Sequence, residues 1–319
     1  MNILFLIAGV ILLTIGGETL IRGALSASDR LGISPLLSGL VIVGFGTSSP
    51  ELAVSVEAAL NSNPDISIGN VVGSNISNVL LILGVCALIT PMTVQPSALK
   101  RDGLVVLAAT VIFMITIIGG LLSRVDAIIL LVLLAAYLTW AYISEKNPES
   151  PQAEVYEAEA KEVDKKPASV FGTVAAIVGG LVLLIGGSNV LLKGAIGIAE
   201  SYNVSEAVIG LTLVAVGTSL PELSISVLAA FRKHADVAIG NILGSNIFNL
   251  LGILGVSALI TPLTVNPRIL AFDQWVLLGI SILILVFLFT GRRLNRWEGG
   301  VLLLGYIAYV VLSFTLFPG

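Results

Sequence analysis

The chain has 319 residues, of which 56% are hydrophobic and 11% charged, with a mean hydropathy of +1.03. Soluble domains carry about a quarter charged residues, so the composition excludes a soluble globular domain and points to a polytopic membrane protein. The net charge of −4 carries little weight because the charges are confined to short loops, while a single Cys86 rules out a disulfide framework within one chain and a single His234 excludes multi-histidine metal sites.

About 20 apolar residues span a bilayer as a helix. On that ruler the first half gives five predicted spans, at 3–21, 35–60, 66–90, 102–121 and 125–143. The second half gives five more, at 171–192, 206–231, 237–261, 272–290 and 298–316. Met1 to Ile15 resembles the apolar core of a signal peptide but lacks a basic leader and a small-residue cleavage site, so it reads as a retained first span. Between the halves, 144–169 is polar, acidic and proline-containing, which reads as a linker too short for a folded regulatory domain. The expected organisation is therefore 1–143, a linker at 144–169, and 170–319.

The two halves repeat each other. At an offset of 171, Gly46–Pro91 and Gly217–Pro262 match at 29 of 46 positions. Five spans per half is an odd number, so equivalent spans must cross in opposite directions. Parity alone predicts an inverted-topology repeat whose duplicated motifs meet near the midplane. The expected fold is all-α, with ten transmembrane helices in two five-helix repeats. Basic residues set the orientation. With both termini outside, inner loops hold thirteen of the sixteen Lys and Arg residues, and only Arg124, Lys193 and Arg268 fall outside. The linker then lies in the cytoplasm and the protein in the cell membrane.

The repeat centres on Gly46-Thr47-Ser48-Ser49-Pro50-Glu51 and Gly217-Thr218-Ser219-Leu220-Pro221-Glu222, deep inside apolar segments. An acid at a membrane helix centre costs roughly 2.5–3.5 kcal/mol on the insertion scale. A proline there removes a backbone donor and opens the helix at the carbonyl four residues back, Gly46 or Gly217. Ser48, Glu51 and Ser55 share one helix face, as do Ser219, Glu222 and Ser226. Downstream, Asn70, Ser74 and Asn78 form a polar stripe that Asn241, Ser245 and Asn249 repeat. Everything offered is oxygen, which suits hard cations such as Ca²⁺ and Na⁺, and Ca²⁺ takes about 6–8 such ligands.

The paired GTS-x-PE segments, each followed by GN-x-x-GSNI-x-N, resemble the alpha repeats of the calcium/cation antiporter superfamily, nearest to its sodium/calcium exchangers. The resemblance covers essentially the whole ten-span layout. It implies that Glu51 and Glu222 are the acidic cation ligands, and that Ser48, Ser219, Ser74 and Ser245 supply hydroxyls. It further implies backbone carbonyls from Thr47, Thr218, Gly44 and Ala215, side-chain ligands at Asn78 and Asn249, and a first and sixth helix that slide over a stationary core. Ca²⁺ and Na⁺ are then transported ions, and no cofactor, nucleic acid or protein partner is implied beyond the lipid bilayer. One departure is informative. Some relatives, including potassium-dependent exchangers, carry Asp where this chain has Asn249, so only two carboxylates are implied here. A Ca²⁺/H⁺ antiporter, in which H⁺ replaces Na⁺, and a K⁺-dependent exchanger remain alternatives within the superfamily. A cation channel would also line a pore with such groups. An intramembrane enzyme would need a nucleophile with its base, and the motifs offer no such pair.

Plainer roles compete for several residues. Gly69-x-x-x-Gly73 and Gly240-x-x-x-Gly244 are small-residue packing motifs, and Asn70, Asn75, Asn241 and Asn246 fit interhelical glue as well as a site. Glu18 reads as an interfacial partner of Arg22, Glu57 as a solvated acid, and Asp102 and Asp273 as helix caps. The basic asymmetry yields a test of orientation. With Cys86 replaced by Ser, a cysteine introduced into 144–169 is expected to react in intact cells only with membrane-permeant thiol reagents, and labelling by an impermeant reagent would reverse the orientation.

Overall fold

A bilayer core offers no water to the backbone, so each N–H and C=O must be satisfied internally, and helix does this within one segment. The computed structural model describes residues 2–93, 96–146, 169–201, 217–291 and 293–316, and these are helical almost throughout. In order they form α1 (Asn2–Leu31), α2 (Pro35–Thr47), α3 (Ser49–Leu60) and α4 (Pro64–Ile89), then α5 (Pro96–Thr116) and α6 (Arg124–Lys146). The second half gives α7 (Val170–Ser201), α8 (Leu220–Phe231), α9 (Ala235–Ile260), α10 (Gln274–Gly291, entered through a π turn at Ile269–Asp273) and α11 (Arg296–Leu316). Among the described residues six helices are long and apolar enough to cross a membrane, or seven if the α2–α3 pair counts as one span. The expected linker, apart from its ends, and the opening of the span expected at 206–231 lie outside the described residues.

Two layers of burial follow from composition. The apolar windows of α4 and α9 are 72% and 83% buried, whereas those of α1 and α7 are 28% and 22% buried. Polar residues therefore concentrate on the central α4 and α9, while α1 and α7 turn apolar faces such as Ile3, Ile7, Val10, Val174, Val178 and Val182 outward. α1 was expected at 3–21 but runs to Leu31. At 30 residues it exceeds the roughly 20 a bilayer needs, so it can span only with tilt or project beyond the core.

α1 and α7 pack antiparallel along most of their length. Gly9, Gly16 and Gly23 face Leu191, Leu184 and Ile177, while Gly180, Gly187 and Gly194 face Leu20, Leu13 and Leu6. Each set recurs every seven residues, a period that keeps one seam of a helix facing its partner. The absence of side chains lets the backbones touch, as small residues do in membrane helix pairs.

Two short strand pairs tie the loops together. β1 (Met92–Thr93) pairs antiparallel with β4 (Arg293–Leu294), and β2 (Leu121–Leu122) pairs antiparallel with β3 (Leu263–Thr264). Capping boxes open α6 and α11. The Ser123 and Asp126 side chains exchange bonds with each other's backbone N–H, and Asn295 and Glu298 do the same.

Asp102 and Asp273 are not caps. Asp102 sits inside α5, fully buried, accepting from Arg101 at 2.7 and 3.0 Å and from the Tyr137 hydroxyl at 2.8 Å. Asp273 accepts from Arg268 at 3.1 Å and from the Tyr309 hydroxyl at 3.0 Å. Spacing in the sequence could not show that a tyrosine two elements away would close over each acid. Glu18 does pair with Arg22 at 2.9 Å, and its other oxygen also meets Arg232 at 3.0 Å just beyond α8. Glu57 is exposed, as expected.

The α1–α7 contact gives a stability prediction. A Cβ at Gly180 would lie 2.7 Å from the Leu20 nitrogen and 2.9 Å from the Gly16 carbonyl oxygen, whereas none of the described atoms lies within 4 Å of one at Gly179. Gly180→Ala is expected to destabilise the detergent-solubilised protein by about 1–3 kcal/mol, the usual cost of overpacking. Gly179→Ala should be neutral or mildly stabilising. Equal melting temperatures for the two variants would contradict the close approach.

Candidate cation-binding site

The two motifs break their helices in the same way. Ser48 and Ser219 leave the helical region, with φ/ψ of −78°/8° and −87°/5°, and the prolines fall in the first turn of α3 and α8, where a missing N–H is tolerated. α2 and α3 bend by 45° across Ser48. The break places Glu51 and Glu222 in the first turns of α3 and α8, at the positive end of each helix.

These acids are bonded crosswise. Ser48 Oγ donates to Glu222 Oε1 at 3.0 Å, and Ser219 Oγ donates to Glu51 Oε1 at 3.2 Å. Each carboxylate therefore takes its hydroxyl from the residue one turn before the other acid, which brings the four side chains to one centre. Glu51 is 1% exposed and Glu222 fully buried. The second oxygen of each carboxylate, Oε2, has no hydrogen-bond partner among the described residues. Two ionised carboxylates held at one buried centre repel each other.

The downstream stripes divide by role. Asn70 Nδ2 donates to the Glu51 carbonyl at 3.1 Å and to Ser55 Oγ at 2.9 Å. Asn241 Nδ2 repeats this with the Glu222 carbonyl at 3.3 Å and Ser226 Oγ at 2.8 Å, and its Oδ1 accepts from Thr47 Oγ1 at 3.1 Å. Of the two roles that the sequence left open, these asparagines show the structural one: they clamp the backbone that carries each acid. Ser55 and Ser226 accordingly face their own half rather than the other carboxylate. Gly240 and Gly244 are packing positions, since a Cβ there would meet the Leu36 and Leu40 carbonyl oxygens at 2.4 and 2.1 Å.

Asn78 and Asn249 join the two halves through a second crossed network. Asn78 Nδ2 donates to Asn246 Oδ1 and Asn249 Nδ2 donates to Asn75 Oδ1, both at 3.1 Å. Both residues stand where α4 and α9 widen into π turns, at Asn78–Leu83 and Phe248–Ile253, a feature common at functional sites. Their Oδ1 atoms are buried without a partner among the described residues, like the two Oε2 atoms.

The remaining expected residues are placed unevenly. Ser245 Oγ donates to the Gly44 carbonyl at 3.1 Å, which leaves its lone pairs free for a cation. That carbonyl also receives the Ser48 N–H at 3.2 Å and Thr47 Oγ1 at 3.3 Å, so in this conformation it is well occupied. Ser74 is buried on α4 and Thr218 half-buried beside Ser219, while Ala215 lies outside the described residues. The carbonyl that Pro221 leaves without its helical donor, Gly217, accepts from Ser188 Oγ at 2.8 Å. The aligned residue in the first half is Gly17, which has no hydroxyl, so the breaks share a backbone geometry but not this hydroxyl donor. Ser188 was not among the residues singled out from sequence. Its position opposite Gly17 in the repeat was the available signal.

Fold and site together define a multi-pass integral membrane protein with a buried, oxygen-lined centre. The family described as sodium/calcium exchanger protein matches residues 1–143 and 172–315. The chain is 34% identical over 346 residues to the sodium/calcium exchanger MaX1 of Methanosarcina acetivorans, covering 99% of each. It is 33% identical over 318 residues to the inner membrane protein YrbG of Escherichia coli, covering 98% of this chain and 97% of that one. A solved structure of the sodium-calcium exchanger NCX_Mj, soaked with 10 mM Na⁺ and no Ca²⁺, superposes with a TM-score of 0.83 at 32% identity, covering 97% of this chain and 98% of that one. The chain belongs to the sodium/calcium exchanger family and is a cation/calcium antiporter of that type.

The asparagine clamps give a prediction separable from transport. Asn241→Ala removes the side chain that bonds the Glu222 carbonyl, Ser226 and Thr47 together, and is expected to cost about 1–3 kcal/mol. Asn70 is only half-buried, so Asn70→Ala should cost less. Thermal melts of the purified variants check the order, and an equal or reversed order would contradict the clamp.

Proposed function

We propose that the chain exchanges cytoplasmic Ca²⁺ for external Na⁺ by alternating access through one central site. Glu51 and Glu222 are its charged ligands, with hydroxyls from Ser48, Ser219, Ser74 and Ser245 and amide oxygens from Asn78 and Asn249. Backbone carbonyls of Thr47, Thr218, Gly44 and Ala215 complete the shell. One observation carries this reading: four acceptor oxygens, Glu51 Oε2, Glu222 Oε2, Asn78 Oδ1 and Asn249 Oδ1, are buried without a hydrogen-bond donor among the described residues. A buried acceptor left unsatisfied costs about 1–3 kcal/mol, more when charged. A hard cation relieves all four at once, because it takes oxygen ligands and balances charge.

Competition is the mechanism. With both acids ionised the centre carries −2, and among the described residues no cluster of three or more His, Cys, Asp or Glu adds to it. One Ca²⁺ balances that charge, and Na⁺ ions balance it in turn. If only a neutralised centre lets the helices around it slide, exchange is obligatory and leak is suppressed. The closely packed α1–α7 pair is the natural mobile unit, since it is far less buried than α4 and α9.

Ten spans in two inverted repeats, with both termini outside, are part of the same proposal. The antiparallel course of α1 and α7 supports the inversion. So do the strand pairs, because β1 with β4 and β2 with β3 each join loops assigned to one side of the membrane. Two carboxylates without a third favour a site independent of K⁺.

Vesicle uptake of radioactive Ca²⁺ driven by Na⁺, K⁺, H⁺ or no counter-gradient tests the function. Uptake should need Na⁺ and be indifferent to K⁺. Glu51→Gln and Glu222→Gln should each lower it at least tenfold while the protein stays folded in the membrane, since each change removes a formal charge at constant volume. Near-normal exchange in either variant would move the site elsewhere, and conduction without a counter-ion would make the protein a channel.

A further inference from the structure

Asn75 and Asn246 follow Ser74 and Ser245 directly and stand outside the stripe of residues expected to bind, yet each bonds to the other half of the protein. Asn75 Nδ2 donates to the Asn246 backbone carbonyl at 3.3 Å, and Asn246 Nδ2 donates to the Asn75 carbonyl at 3.4 Å. A backbone carbonyl can only accept, so the atom facing it must be the amide nitrogen. This fixes the rotation of both side chains, and their Oδ1 atoms point the other way. There an acceptor needs a donor. Asn75 Oδ1 receives Asn249 Nδ2, and Asn246 Oδ1 receives Asn78 Nδ2, both at 3.1 Å. Asn249 and Asn78 are thereby turned in their own right, and the Oδ1 left over on each is buried and unpartnered among the described residues.

We propose that Asn75 and Asn246 are positioning residues that set the amide orientation of Asn249 and Asn78, so that a carbonyl oxygen and not an NH₂ group faces the transported cation. The inference rests on the site proposed above. An amide is nearly symmetric in shape, so packing alone selects poorly between its two orientations, while for a cation one is a ligand and the other repels. The chain of logic runs from two backbone carbonyls through two buried amides to the ion. Asn75, Asn78, Asn246 and Asn249 are each 1% exposed or less, so water cannot replace a missing link cheaply.

A double-mutant cycle on the purified full-length protein separates positioning from plain structure. Ca²⁺ binding is measured by titration calorimetry for Asn75→Ala with Asn at 249, and for the same change with Asp at 249. Asp offers oxygen in either rotation, so it has nothing to be oriented. Asn75→Ala is expected to weaken Ca²⁺ binding about tenfold beside Asn249 and less than about twofold beside Asn249→Asp, a strong coupling between the two positions. An equal penalty in both backgrounds, or none in the first, would overturn the inference and leave Asn75 a structural residue. Should Asn75→Ala fail to fold, Asn246→Ala with Asn or Asp at 78 gives the same cycle through the other half. Asn249→Ala distinguishes the deeper failure: unchanged Ca²⁺ affinity in that variant would take Asn249 out of the site and sink the underlying reading as well.

Discussion

Two carboxylates buried in an apolar bundle, each hydrogen-bonded to a serine from the other half, are the constraint on which the rest of this structure depends. Ser48 bonds Glu222 and Ser219 bonds Glu51, so neither acid can be placed without the opposite repeat. A buried charge is tolerable only if something balances it, and the described helices bring no basic residue into ion pairing with either acid. A mobile cation would balance that charge in the site proposed above. Helix breaks at Ser48 and Ser219 and the asparagine clamps on the Glu51 and Glu222 carbonyls position the two acids, and π turns begin at Asn78 and Phe248.

The surroundings divide into a central and a peripheral part. α4 and α9 are central, polar on their inner faces and cross-bonded through Asn75 and Asn246. α1 and α7 are peripheral, and Leu and Ile side chains of each lie over glycines of the other. Glu18 links α1 to Arg232 beyond α8 through a partly exposed ion pair, an interaction of the weak class worth about 0–1 kcal/mol. Asp102 and Asp273, by contrast, are each held by a nearby Arg of the same segment and by a Tyr from the following helix.

How much of this was legible depends on whether the information is local. The apolar helical character, a helix break at each proline motif and the repeat itself follow from composition, proline chemistry and self-similarity, all properties of contiguous residues. The role of Asp102 and Asp273 was misjudged because Tyr137 and Tyr309 are 35 and 36 residues away along the chain. The capture of the Gly217 carbonyl by Ser188 was hidden for the same reason, at a separation of 29 residues. Asn70 and Asn75 looked alike in the motif, yet one clamps its own half and the other reaches across to the partner repeat.

By itself, then, the sequence determined that this is a helical membrane protein with two matching acidic breaks, because burial cost and helix chemistry act residue by residue. It also nominated Glu51, Glu222 and the serine and asparagine stripes, since only a few side chains in an apolar span can be polar without purpose. Tertiary structure alone decided which oxygen faces which. An amide or hydroxyl has several lone pairs and donors, and their direction is set by whichever partner the fold brings near. Here those partners, Ser219 for Glu51 and Asn246 for Asn78, come from the other repeat, 168 residues away in each case.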